Sequence, residues 1–180
     1  MNKIIAIVGM CGSGKSVASE YLEKEFGYKK VYFGGVTMKK LQEANIEINP
    51  ENEKMMREKL RKELGMGAYA KVLLPEIKEL AKENNVVLDG LYSWEEYKIL
   101  IEELKELKLI SIVADKNIRY ERLKQREIRP LTKEEATKRD LSEIETIEKA
   151  QPIAYADYYI LNNSTLEEYI NRLNEILKEV

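Results

Sequence analysis

The sequence predicts an α/β protein in which helices cover both faces of a parallel sheet. Two observations predict this class. Short apolar segments, typical of strands buried on both faces, alternate with segments whose apolar residues recur at helical spacing. The first apolar segment, residues 4–8, leads through a glycine-rich turn into such a helical pattern. A length of 180 residues matches one domain, so residues 1–180 are predicted to form a single unit.

The glycine-rich turn fits the phosphate-binding pattern G-x-x-x-x-G-K-[ST] at every fixed position: Gly9, Met10, Cys11, Gly12, Ser13, Gly14, Lys15, Ser16. Glycines let the backbone turn its N–H groups inward around an anion, and the following helix adds the positive end of its dipole. Lys15 is expected to reach the β- and γ-phosphates of ATP, and the Ser16 hydroxyl to ligate Mg²⁺. This P-loop, extended to Val17 in the first helical turn, is the predicted nucleotide site.

The remaining elements follow in chain order. Strands are predicted at 31–33, 86–89, 109–114 and 158–161, and helices at about 36–44, 50–64, 68–84, 94–107, 116–126, 132–148 and 165–178. Pro50 in a first turn and capping boxes at 93–96 and 132–135 mark three of the helix starts, and Asp115 is expected to cap another.

Composition excludes several classes. A formal net charge of -2 disfavours an extended nucleic-acid surface, and no apolar run approaches the ~18 residues of a membrane span. The sequence has no histidine, which excludes Ser-His-Asp catalysis and histidine-based zinc sites. A single cysteine, Cys11, rules out an internal disulfide. Residues 1–3 lead straight into the first strand, so we expect no signal peptide and a cytoplasmic location.

Together these motifs resemble the nucleoside monophosphate kinase branch of P-loop proteins. More closely, the chain is similar to a family known only as adenylate-kinase-related or dephospho-CoA-kinase-related. The resemblance covers nearly the whole chain and is carried by the P-loop and by residues 87–90, 121–126 and 156–164. It implies a three-layer P-loop NTPase fold with five parallel strands in the order 2-3-1-4-5. It also implies an acceptor-side cover (residues 36–69) and a short lid (residues 122–139).

The resemblance also assigns roles. It places Arg122 on the ATP adenine, Arg126 and Arg139 on the phosphates, and Asp89 beside Mg²⁺, and it assigns Asn162 to nucleotide binding. Guanidinium forks suit charge that is spread over phosphate oxygens. The predicted catalytic residues are therefore Lys15, Asp89, Arg126 and Arg139.

Arg119, Arg122 and Arg126 stand three or four residues apart, so one helical segment would place all three on one face. The alternative is a solvated basic stripe without a ligand. The P-loop favours the functional interpretation most for Arg122 and Arg126.

The acceptor side departs from the kinases that the chain resembles. Met38 stands where adenylate kinases carry an arginine that grips the acceptor monophosphate, and Lys39 and Lys40 follow it. Tyr92 occupies the region of a second missing arginine. Lys39, Lys40 and Tyr92 are the predicted substrate residues. Dephospho-CoA kinases carry an aspartate after the second strand, and residues 32–40 contain none.

The function predicted from the sequence is Mg²⁺-dependent transfer of the ATP γ-phosphoryl group to a small nucleotide-like acceptor. One alternative is a nucleotide-binding regulatory or partner-binding protein with weak ATPase activity. A second alternative is a dephospho-CoA kinase.

Overall fold

Five parallel strands form one sheet in the order β2-β3-β1-β4-β5 in the computed structural model, which describes residues 2–180. The strands are β1 Ile4–Val8, β2 Lys29–Tyr32, β3 Val86–Asp89, β4 Leu107–Val113 and β5 Tyr158–Leu161. β1 lies at the centre and pairs in parallel with β3 and β4. The predicted fold class and strand order are confirmed.

The helices over the described residues connect these strands. They are α1 Lys15–Phe26, α2 Gly34–Glu43, α3 Pro50–Leu64, α4 Ala68–Ala81, α5 Trp94–Glu103, α6 Lys116–Lys124, α7 Lys133–Glu145, α8 Ala150–Ala154 and α9 Leu166–Glu179. Among residues 2–180, no helix is both long enough and apolar enough to cross a membrane.

The side chains of β1 alternate between two cores. Ile5 and Ile7 pack with α1 and α9, whereas Ile4, Ala6 and Val8 pack with α2, α4 and α5 on the opposite face. Because successive strand residues point to opposite faces, an unbroken apolar strand can fill both cores at once. The P-loop begins directly after β1, at the carboxyl edge of the sheet where ligands bind in such folds.

Several predicted boundaries were wrong. α5 ends at Glu103, because Leu107 is already the first residue of β4 and pairs with Ile4. α6 ends at Lys124, so Arg126 lies beyond the helix. α7 ends at Glu145 instead of near residue 148.

The cap predictions had mixed outcomes. Both capping boxes are present, on Ser93 and on Thr132, and the Asn49 side chain accepts a hydrogen bond from Asn52 N before Pro50. Asp115 occupies the N-cap position of α6, but its side chain makes no capping hydrogen bond.

Candidate nucleotide-binding site

The P-loop backbone depends on glycine where it passes closest to other segments. Gly12 has φ +83°, and a Cβ there would lie 2.7 Å from the backbone oxygen of Arg119. Gly14 has φ +104°, and a Cβ there would collide with the side-chain amide of Asn162. Both positions combine a left-handed conformation with close contact to another backbone or side chain, so only glycine fits.

The loop is tied to the β5 side of the sheet by two side chains. The Asn162 Nδ2 donates to the backbone oxygen of Ser13 at 2.8 Å, and the Tyr169 hydroxyl donates to that of Gly14 at 3.0 Å. The Asn162 Oδ1 accepts a long hydrogen bond, 3.4 Å, from Arg122 Nη2. Asn162, predicted to bind the nucleotide, thus positions the loop, and its contact with a nucleotide stays a prediction.

Lys15 folds back over the loop, and its Nζ donates to the backbone oxygen of Met10 at 3.1 Å. Burial, followed by the positive charge of Lys149, lowers the pKa of Lys15 to about 7. An anionic ligand at Nζ would offset both effects, because an opposite charge favours the protonated form.

Ser16 and Asp89, the predicted Mg²⁺ residues, lie on either side of one hydroxyl. Ser19 Oγ is 3.0 Å from the backbone oxygen of Ser16 and 2.9 Å from Asp89 Oδ2. Asp89 is the last residue of β3, and Ser16 lies in the first turn of α1. One carboxylate and one hydroxyl at this edge fit Mg²⁺, which takes few protein ligands and keeps waters and substrate phosphates. Residues 2–180 contain no group of three His, Cys, Asp or Glu side chains that could hold a metal ion.

The contacts of Arg119 differ from those of Arg122 and Arg126. Its Nη1 and Nη2 bond both oxygens of Asp140 at 3.0 and 2.6 Å, and its Nη1 also donates to the backbone oxygen of Cys11 at 2.9 Å. Both Arg119 and Asp140 are buried. This pair connects α6, α7 and the P-loop, so Arg119 positions the loop instead of binding a ligand.

Arg126 and Arg139, unlike Arg119, have exposed side chains. Arg126 Nη1 lies 3.8 Å from the Sγ of Cys11 in the P-loop. Arg139 Nε donates to Glu143 Oε1 at 3.1 Å. Arg126 is exposed, and the side chain of Arg139 is 48% exposed, so both guanidinium groups have room for a ligand. Their catalytic roles stay predictions.

Sequence reasoning missed a buried cation beside this site. Lys149 is 1% exposed, its Nζ donates to Glu143 Oε2 at 2.7 Å, and it lies 5.2 Å from the ring centroid of Tyr92. Glu148 adopts φ +54°, and the Lys149 N–H donates to the backbone oxygen of Glu143. This left-handed residue lies three positions after the end of α7 and directly before Lys149. Left-handed conformations of non-glycine residues have no dependable sequence signal.

The three predicted substrate residues are not brought together. Tyr92 folds back over Gly90 at the end of β3, and burial raises its pKa well above the usual value. Lys39 and Lys40 instead line a cleft of about 270 Å³ beside β2 and α4, which contains no P-loop residue. Lys40 forms an ion pair with Glu43, with 2.7 Å between Lys40 Nζ and Glu43 Oε2. The roles of these lysines in acceptor binding stay predictions.

Behind Tyr92, the helices of the predicted cover contribute polar side chains that the sequence did not reveal. The Tyr69 and Thr37 hydroxyls are 2.7 Å apart, and the Arg61 guanidinium lies 5.7 Å from the Tyr69 ring centroid. Glu96 is fully buried and accepts hydrogen bonds from the backbone N–H groups of Tyr92 and Ser93. Burial raises the pKa of Glu96 to about 7.

A second ion pair joins the predicted lid to the predicted cover. Arg129, in the loop between α6 and α7, bonds both carboxylate oxygens of Glu53 on α3, at 2.5 and 3.1 Å. Arg57 lies 3.4 Å from the same carboxylate, one turn along α3. The ion pair therefore links the predicted lid and the predicted cover, which the sequence analysis places on either side of the site.

Comparisons with known sequences agree with this P-loop site. Residues 5–148 match the family described as AAA domain. A UPF0200 protein of Sulfurisphaera tokodaii is 37% identical, over 99% of this chain and 97% of that protein. A UPF0200 protein of Thermococcus onnurineus is 32% identical, over 98% and 97%. These relatives extend over almost the same length as this chain.

Solved structures agree on the fold. A shikimate kinase from Bacteroides thetaiotaomicron superposes with a TM-score of 0.64 at 15% identity, over 98% of both chains. A gluconokinase from Sinorhizobium meliloti gives 0.59 at 14% identity, over 98% of this chain and 94% of that one. Identities this low indicate a shared kinase-like fold and leave the substrate open. The sequence matches identify the family: the chain belongs to the UPF0200 proteins and carries a P-loop, kinase-like AAA domain.

Proposed function

We propose that this protein is an Mg²⁺-dependent kinase that transfers the ATP γ-phosphoryl group to a small nucleotide-like acceptor. The observation that carries the proposal is the meeting of lid arginines with the P-loop. Arg126 Nη1 lies 3.8 Å from the Sγ of Cys11, although the two residues are more than one hundred positions apart, and Arg139 on α7 is close enough to Cys11 for an electrostatic interaction. A protein that only held a nucleotide would need the loop, whereas phosphoryl transfer also needs cations around the γ-phosphate.

Each predicted site residue would have its own role in nucleotide binding or in phosphoryl transfer. Backbone N–H groups of residues 9–16 bind the phosphates, and Lys15 neutralises charge on the β- and γ-phosphate oxygens. Ser16 and Asp89 would hold Mg²⁺, which supplies charge neutralisation when it is bound. Arg126 and Arg139 would stabilise charge that develops on the transferred group.

The acceptor assignment is supported by the surroundings of Tyr92 and by the fold. Tyr92 lies beside Asp89 at the same edge of the sheet, so it offers an aromatic face next to the reaction centre. Two of the solved structures with a similar fold, the shikimate kinase and the gluconokinase, are by name kinases of small molecules. Ordinary AMP is a poor candidate, because Tyr92 and Met38 replace the arginines that align an acceptor monophosphate.

The regulatory alternative has one observation in its favour. Lys39 and Lys40 line a cleft apart from the P-loop, so the predicted charges for an acceptor phosphate are not assembled beside it. The dephospho-CoA kinase alternative would need a carboxylate base for a hydroxyl acceptor, and residues 32–40 offer none.

The test is ADP formation from Mg·ATP by the purified full chain, measured against a panel of nucleotides, dephospho-CoA and acceptor-free buffer. We expect acceptor-dependent ADP formation with a nucleotide-like compound and a turnover below roughly 10 s⁻¹ with AMP, an ordinary value for an enzyme on its own substrate. Lys15→Ala is the control, and its turnover should fall about 100- to 1,000-fold. Slow ADP formation that no acceptor stimulates would favour the regulatory alternative. Wild-type turnover by Lys15→Ala would contradict the proposal.

A further inference from the structure

Lys149 is a buried cation whose position is not explained by packing alone. Lysine is almost never fully buried unless it is paired, and burying its charge is costly without a partner. At 1% exposure, Lys149 has Glu143 as its carboxylate partner, at 2.7 Å. The face of the Tyr92 ring lies 5.2 Å away and contributes a weaker attraction.

The carboxylate of Glu143 pairs with a second cation besides Lys149. Its Oε2 accepts from Lys149 and its Oε1 accepts from Arg139 at 3.1 Å, so one negative charge serves two positive ones. Lys149 also lies close enough to Lys15 for the two positive charges to act on each other. Three cations, Lys15, Arg139 and Lys149, thus lie near two carboxylates, Glu143 and Asp89. Asp89 is also the predicted neighbour of Mg²⁺.

An excess of positive charge around a buried ammonium group such as that of Lys149 is unfavourable until an anion enters, since repulsion is strong where water is excluded. The side chains that carry the excess border the place where Lys15 is expected to meet the γ-phosphate. The charge arrangement is therefore complementary to a phosphoryl group located between Lys15 and Lys149.

We propose that Lys149 is a catalytic residue whose Nζ donates hydrogen bonds to the oxygens of the transferring phosphoryl group, with Glu143 as its positioning residue. The inference rests on the proposed kinase function. An acceptor oxygen forms a bond to the γ-phosphorus, the bond from that phosphorus to the β–γ bridging oxygen breaks, and its electron pair stays on ADP. A nucleotide-like acceptor attacks through a phosphate that is largely dianionic above pH 6, so no proton has to be moved. Lys149 keeps its proton throughout.

Glu143 fixes where this ammonium group points. Lysine is a point charge on a flexible stem, so its direction has to come from a partner. Glu143 holds Lys149 and Arg139 together, and it sits one helical turn after Arg139 on α7. Any movement of the predicted lid helix would therefore carry both cations together.

The experiment compares wild type, Lys149→Met and the double variant Lys149→Met/Glu143→Gln. Methionine approximates the length of the lysine stem without its charge. In the single variant the Glu143 carboxylate loses Lys149 as a partner, and the double variant removes this carboxylate as well. Lys78→Met is the control, because Lys78 pairs with Glu103 at the surface, with 47% of its side chain exposed. The probes are Mg·ATP for the ground state and Mg·ADP with aluminium fluoride, which mimics a planar transferring phosphoryl group.

For both Lys149 variants we expect Mg·ATP affinity within about threefold of wild type and a turnover lower by about 100-fold. Affinity for Mg·ADP with aluminium fluoride should fall by a similar factor, which a merely structural role would not produce. Lys78→Met should match wild type in all three measurements.

The inference is overturned if either folded Lys149 variant retains wild-type turnover and wild-type affinity for the fluoride complex. It is also overturned if Mg·ATP affinity falls as much as turnover does, because Lys149 would then contribute equally to ground-state binding. Failure of the proposed function itself looks different: wild-type protein would then form no ADP and bind no fluoride complex, and this inference would fall with it.

Discussion

On the P-loop side of the site, eight consecutive residues supply the binding loop. On the side around Tyr92, which we call the cover side because Tyr69 of the predicted cover packs against Tyr92, the side chains of Tyr92, Glu143 and Lys149 meet from separate segments. The first side acts mainly through backbone N–H groups, whose arrangement follows from the glycines in one short stretch. The second side acts through side chains that only tertiary packing brings together. A sequence motif therefore locates the phosphate donor far more directly than it locates the acceptor.

The largest effect is expected on the P-loop side, from Arg119→Met. This change leaves Asp140 buried without its bidentate partner and removes the donor to the Cys11 backbone oxygen. Breaking a buried pair in this way typically costs about 3–5 kcal/mol. Urea unfolding should show this loss, and Mg·ATP affinity measured on the remaining folded protein should also fall. An unfolding free energy equal to that of wild type would show that this pair does not hold the loop.

The matched control is Arg126→Ala, seven residues along the same segment. Arg126 is exposed and forms no ion pair with another described residue, so its loss should change the unfolding free energy by no more than about 0.5 kcal/mol. Turnover should still fall by about 100-fold, if Arg126 meets the phosphates. Opposite patterns in the two variants would separate a positioning arginine from one that contacts the ligand. A stability loss in Arg126→Ala with unchanged turnover would assign it to structure.

These two arginines also show what the sequence could predict. The fold, its strand order and the P-loop followed from apolar periodicity, one motif and a family resemblance. The helical spacing of Arg119, Arg122 and Arg126, three and four residues apart, predicted one shared face, but α6 ends at Lys124 and Arg119 is buried. Residue spacing determines a shared face only as far as the helix extends. No local sequence pattern indicated that Arg119 would pair with Asp140.

The cover side was harder for the same physical reason. Lys149 faces inward because Glu148 takes a left-handed conformation, and nothing in the residue types around it requires that turn. Glu96 was recognised as part of a capping box, but its full burial depends on the packing of α4 and α5. Lys39 and Lys40 were selected by their offset from a family arginine, and an offset does not determine which cleft a helix side chain reaches.

A smaller, pH-dependent effect is expected from Glu96→Gln on the cover side. Burial raises the folded-state pKa of Glu96 to about 7, above the ordinary value of 4.5, against the opposing influence of Arg61 and Lys149. Its protonated form therefore favours the fold, and this contribution is present below pH 4.5 and lost as the pH rises through about 7. Between pH 5 and pH 8, wild type should lose about 1 to 3 kcal/mol of unfolding free energy that Glu96→Gln does not lose.

Glu95→Gln provides the control for that measurement, since Glu95 is the neighbouring residue, pairs with Lys98 and has 45% of its side chain exposed. Its pH profile should follow that of wild type. Unfolding free energies measured in urea at several pH values give all three curves. Identical slopes for wild type and Glu96→Gln would show that the pKa of Glu96 is not raised to about 7 in the folded protein.

The smallest effect is expected where the predicted lid and the predicted cover meet, at the pair between Arg129 and Glu53. Arg129→Ala removes a bidentate contact from a side chain that is 53% exposed, and the buried Glu53 carboxylate keeps Arg57 as a partner. The change should therefore be about 0.5–1 kcal/mol, or a two- to fivefold larger open population. Hydrogen exchange of residues 125–132 should quicken by that factor, because exchange follows local opening. Arg57→Ala is the matched control: it also removes a partner of Glu53, but that partner lies on the same helix, α3. Equal exchange in the two variants would show that the pair does not hold the predicted lid and the predicted cover together.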